Sequence, residues 1–109
     1  MEIDDEMVYS PTVEVKPEYK GGVNELKAFF KKNLVFPESL KKGGIRGVVF
    51  VQFIVDKYGN VKEIKVIKGL HPDADREAIR LIKLTNGKWN QGTRNGNAAE
   101  MQMIIPVKF

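Results

Sequence analysis

The sequence predicts an α+β fold: a small antiparallel β-sheet of three main strands with two principal helices packed on one face. Three observations carry this. Val48–Val55 and Val61–Lys68 follow the two-residue period of strands on either side of Asp56-Lys57-Tyr58-Gly59-Asn60. Two other stretches, 23–33 and the one opened by His71-Pro72, repeat apolar residues at helical spacing. The closing stretch Ala98–Phe109 alternates again and contains Pro106.

A chain of 109 residues suits one domain with one modest core. With 42% hydrophobic and 29% charged residues it falls among globular chains. No apolar run approaches the roughly 18 residues of a membrane span. Absence of cysteine excludes disulfides, thiol catalysis and cysteine-bound zinc. The acidic opening, with Glu2, Asp4, Asp5 and Glu6, is unlike a secretory signal. Beyond it the chain is basic, which would steer an acidic partner in a salt-sensitive way. A surface kept soluble by lysines explains the same excess.

Residues 1–18 contain Pro11 and Pro17 and no sustained period, so they read as a flexible or extended arm in which Val13 and Val15 suit a short strand. Residues 19–109 read as the folded domain. Gly21-Gly22 punctuates the chain, and Val23, Leu26, Phe29 and Phe30 then form a helical face opposite Lys27, Lys31 and Lys32. Phe36–Gly44 reads as a compact turn or short helix with Pro37 at its first position, Gly43 as its exit, and Phe36 and Leu40 as satellite core residues. Val49, Val51, Phe53 and Val55 share one strand face; Val48, Phe50, Gln52 and Ile54 share the other. Gly59 tolerates the positive φ of a tight turn, and Ile64 and Val66 return as the inward pair. Ala74, Ala78, Leu81, Ile82 and Thr85 line the second helix, whose early Asp73, Asp75 and Glu77 suit its dipole. Asn86-Gly87 stops it. Trp89 anchors the next segment against the core, and Asn90–Asn97 reads as a polar loop.

Side chains suggest no chemistry. The sole histidine, His71, lies near Asp73 without a nucleophile to complete a catalytic set. Asp73, Asp75 and Glu77 form no recognised metal loop. Lys42-Gly43-Gly44 and Gly87-Lys88 lack the spacing of a phosphate loop. Arg46-Gly47-Val48-Val49-Phe50-Val51-Gln52-Phe53 matches part of an RNA-binding pattern, but Val48 stands where a second stacking ring is wanted, and Phe53 falls on the core face. Neither catalysis, a cofactor nor nucleic acid is expected. The remaining candidate is main chain: Pro106 cannot donate to a ladder, so the last strand is expected at an edge. Such an edge suits an added peptide strand, a guarded surface or a homodimer.

Tyr19-Lys20-Gly21-Gly22, Phe36-Pro37, Gly47–Val55, Asp56 to Asn60, Asp75-Arg76-Glu77-Ala78, Lys88-Trp89 and the closing Ile105-Pro106-Val107-Lys108-Phe109 together resemble the C-terminal domain of TonB-family energy transducers. The resemblance covers about residues 15–109 and rests on the order and spacing of the pieces. It implies a periplasmic domain of an inner-membrane-anchored parent, which engages an ion-driven motor complex through N-terminal regions absent from this chain. Such domains grasp the TonB-box peptide of an outer-membrane transporter, near its plug, for active nutrient import. By resemblance the acceptor edge is Ala99, Glu100, Met101, Gln102, Met103, Ile104 and Ile105. Trp89, Phe50, Phe53, Pro106 and Phe109 are its supporting structure. Asn90-Gln91-Gly92 departs from the family, where a proline often precedes the glycine.

Overall fold

The computed structural model describes residues 13–109. The first part of the predicted arm, residues 1–12, lies outside the described residues. Strands β1 (Glu14–Val15) and β2 (Glu18–Tyr19) lead to helix α1 (Val23–Asn33) and the short helix α2 (Glu38–Gly43). The hairpin β3 (Val48–Val55) and β4 (Val61–Lys68) comes next, then helix α3 (Pro72–Leu84). The chain closes with β5 (Trp89–Asn90), β6 (Gly92–Arg94), β7 (Asn97–Ala99) and β8 (Met101–Lys108).

The main sheet has the order β4-β3-β8, all antiparallel, as the predicted α+β class requires. Strand β3 is central and alternates strictly: Val49, Val51, Phe53 and Val55 are fully buried, while Val48, Phe50, Gln52 and Ile54 lie half-buried on the other face. The inner four meet Leu26, Leu40, Ala74, Ala78, Leu81 and Ile82 in one core, joined by Ile64 and Val66. The helices thus cover one sheet face. Val23 is 61% exposed, so the buried stripe of α1 begins at Leu26.

Three expectations are corrected. Asn90–Asn97 is no loop: β6 and β7 form a hairpin, with Asn95 and Gly96 at φ 53° and 82° matching the primed turn that suits strand twist. The predicted strand Ala98–Phe109 is broken at Glu100, because its first residues pair with β6 and its later ones with β3. Pro37 is the N-cap of α2 rather than its first residue, and the left-handed exit is Gly44, not Gly43.

Two contacts tie the pieces together. Asp56 accepts from the Tyr58 and Asn60 amides to close the β3–β4 turn. That turn docks on the chain after α3, where Gly87 N–H donates to the Gly59 carbonyl at 3.1 Å and Val61 N–H to Asn86 Oδ1 at 2.8 Å. Glu77, 8% exposed, accepts from the Val35 amide at 2.7 Å and from Arg80, whose guanidinium also donates to the Asn33 carbonyl. One carboxylate on α3 therefore fixes the exit of α1. Burial alone would raise the pKa of Glu77, but the hydrogen bonds from Arg80 and Val35 outweigh it and hold the group below its ordinary value.

Gly59 sits at φ 83°, and a Cβ there would run into the Trp89 carbonyl oxygen. Gly59→Ala should therefore destabilise the fold by about 2 kcal/mol or more in urea unfolding, from left-handed strain plus the clash. A depressed carboxylate pKa gives stability that is complete above the unfolded value and lost as pH falls through the folded one. Glu77→Gln should cost about 1.5–3 kcal/mol at pH 7, a deficit that shrinks in unfolding curves as pH falls below the ordinary carboxylate range.

Candidate functional site

The closing strand pairs with β3 in an unbroken register, from Val48 opposite Lys108 to Val55 opposite Met101. Just beyond it, Phe109 N–H donates to the Gly47 carbonyl at 2.8 Å and Gly47 N–H to the Phe109 carbonyl at 3.2 Å. That mutual exchange sets the alternation of the whole ladder. Met101, Met103, Ile105 and Val107 direct their main-chain groups to β3. Gln102, Ile104 and Lys108 direct theirs to the opposite side, where no strand pairs with β8 among the described residues. Pro106 stands on the same outward parity, so its missing N–H removes no bond of the sheet.

Side chains follow the same alternation. Gln102, Ile104, Pro106 and Lys108 are exposed, with Ile104 at 46%. Met101, Val107 and Phe109 are buried, and Met103 and Ile105 pack against the core. Of the residues expected at the edge, Ala99 lies instead in β7, buried opposite Gly92. Glu100 sits between the two ladders and pairs with Lys62 at 2.6 Å. The alternation divides the other five: two present main chain outward and three do not.

The opposite edge of the sheet differs. Strand β4 carries two register shifts against β3, with Glu63 at φ 53°, and it displays Lys62, Lys65 and Lys68 opposite the outer face of β3. Bulges and lysines are devices that keep an edge from pairing. Strand β8 has no bulge within its ladder and only one lysine, Lys108 at its end. Only Pro106 interrupts its outward row.

Of the residues expected to support this edge, Trp89, Phe53 and Phe109 lie in the core. The Trp89 ring lies 5.5 Å from Phe53, whose strand neighbour is Met103, and edge-on to Tyr19 at 5.8 Å. Its indole N–H donates to Thr85 Oγ1 at 2.9 Å, and that hydroxyl donates to the Ile82 carbonyl at 2.6 Å. Trp89 is 3% exposed and thus no surface ligand. Gly92 packs so closely that a Cβ would stand 2.7 Å from Met101 Sδ. Phe109 contacts Phe36 at 6.3 Å between ring centroids, and Phe50 lies half-buried on the outer face opposite Pro106.

Other chemistry finds little footing. Arg46, the basic residue of the RNA-like pattern, stacks on Phe36 at 4.7 Å rather than beside Phe50. His71 caps α3, its Nδ1 accepting from the Asp73 amide at 3.1 Å, while Asp73 binds Ser39 and Arg76. Among the described residues no three metal-ligating side chains converge, and no helix is long and apolar enough to cross a membrane.

The family model described as Gram-negative bacterial TonB protein C-terminal matches residues 32–109. Two NMR structures of the Helicobacter pylori TonB C-terminal domain resemble the chain, each at 21% identity. One has a TM-score of 0.63 and covers 100% of this chain and 94% of its own; the other, 0.61, covers 79% and 89%. They show a shared fold. No curated protein sequence matched.

Proline substitution along β8 tests the alternation. Gln102→Pro should leave stability within about 1 kcal/mol, whereas Met103→Pro, which strips a bond from the ladder, should cost at least about 2 kcal/mol more in urea unfolding.

Proposed function

Because the chain belongs to the family of Gram-negative bacterial TonB protein C-terminal domains, we propose that it binds the TonB-box peptide of an outer-membrane transporter by adding that peptide as a strand to the open side of β8. Family membership supports a general energy-transducing role and a non-catalytic, adaptor character. The finer reading adds the site and the mode. Its main support is the outward main chain of Gln102 and Ile104, two donors and two acceptors in register on an edge without a bulge. An extended peptide satisfies such groups through its own backbone, and alternate side chains then set its register.

The setting proposed is the periplasm, with the parent protein anchored in the inner membrane and coupled there to a motor complex. Force would pass through the added strand to the transporter plug. A loaded strand shares its pull among several main-chain bonds, which suits a reaction-free site better than one side-chain contact does. A homodimer through the same ladder is the competing occupant, so sedimentation at several concentrations precedes any titration.

Titration of the folded domain with transporter TonB-box peptides, followed by amide chemical shifts, tests the reading. Changes should centre on Gln102 and Ile104, and Gln102→Pro should weaken binding about tenfold while the fold persists. Unchanged affinity in the folded Gln102→Pro variant would overturn the register. Salt-sensitive shifts centred on Phe50 with single-stranded RNA would favour a nucleic-acid site instead.

A further inference from the structure

At the end of β8 where Pro106 interrupts the outward donors lies a groove of about 710 Å³ between α1 and that strand. Phe30 of α1, Leu34 just beyond that helix, Leu81 of α3, and Pro106 with Val107 of β8 line it. Three lysines, Lys27, Lys31 and Lys108, also line it, and no carboxylate does. All three are exposed, and among the described residues none has a carboxylate within ion-pair distance. Both sheet faces contribute, the inner one through Val107 and the outer one through Val48, Pro106 and Lys108. The groove therefore sits at the end of the β3–β8 ladder, next to the Pro106 end of the outward row.

We propose that the ligand of this edge is bipartite. One part pairs with the main chain of Gln102 and Ile104; the adjoining part places a bulky apolar side chain in the groove and flanks it with carboxylates that meet Lys27, Lys31 and Lys108. This rests on the strand-addition reading above and specifies which peptides that site prefers. Complementarity identifies the occupant: an apolar cleft next to an unpaired polar edge suits a side chain of an extended peptide, and a rim of three cations without an anion selects acidic neighbours. Where Pro106 withholds a donor, the groove takes over from the ladder.

The test uses blocked synthetic strand peptides of alternating Thr and Val, with or without an appended Leu-Asp-Glu segment at either end, and with that segment changed to Leu-Asn-Gln. Titrations monitor amide shifts and affinity for the folded domain and for its Lys27→Glu/Lys31→Gln double variant. The acidic extension at one end should tighten binding about tenfold over the plain peptide and over the amide version. That gain should fall in high salt and vanish in the double variant, whose substitutions are at exposed positions. Equal affinity of acidic and amide peptides, with Gln102 and Ile104 still shifting, would overturn the groove's role and leave strand addition standing. Loss of the Gln102 and Ile104 shifts with every peptide would instead overturn the strand-addition reading. Tight binding of the acidic peptide that persists in the double variant would place its carboxylates elsewhere and overturn the proposal.

Discussion

The β3–β8 ladder is the constraint on which the rest depends. It consumes one half of the main-chain groups of the last strand and turns the other half outward. The mutual bonds between Gly47 and Phe109 set which half. A slip of one residue would expose Met103 and Ile105 main chain and also move the side chains of Met101 and Val107 from the core to solvent. Burial of those side chains, each worth about 1.5–3 kcal/mol, therefore secures the outward donors as firmly as it secures the core.

The same core makes β8 stiff without covering its free side. Trp89 is the chief brace: its ring fills the space beside Phe53 and its N–H is satisfied by Thr85, so a large side chain is buried with no unmet polar group. Tyr19 closes the far side of that ring, which explains why a segment as short as β2 is held at all. Glu77 and Arg80 hold the exit of α1, through the Val35 amide and the Asn33 carbonyl.

Period and turn chemistry made the main sheet legible in the sequence, as they did α1, the face of α3 and the edge position read from Pro106. What stayed hidden depended on pairing at a distance. The break at Glu100 cannot be seen in the alternation of Ala98–Phe109, because the period continues while the partner changes from β6 to β3. The β6–β7 hairpin was visible in Asn95-Gly96, a strong two-residue turn signal outweighed by the polarity around it. Glu77 reads as a helix-dipole residue; only the fold brings Val35 and Asn33 to it and makes it a buried clasp. The sheet's second edge likewise looks like the first until register shows two bulges in β4 and none in β8.

Magnitudes then bear on what an open edge can accomplish by itself. Gln102 and Ile104 together present two donors and two acceptors ahead of Pro106. Each such bond yields a net of about 0.5–1.5 kcal/mol, since the free edge is already hydrated. Their sum, about 2–6 kcal/mol, must offset an association cost estimated at about 4 kcal/mol or more before any affinity remains. Main chain alone thus gives a weak, sequence-blind contact that any extended peptide could make. Selective binding at β8 has to draw on side chains beside the ladder, and apolar surface flanked by three lysines lies beside Pro106, where the outward row misses a donor. On the proposed function, strength under load and choice of partner would fall to different atoms of one edge.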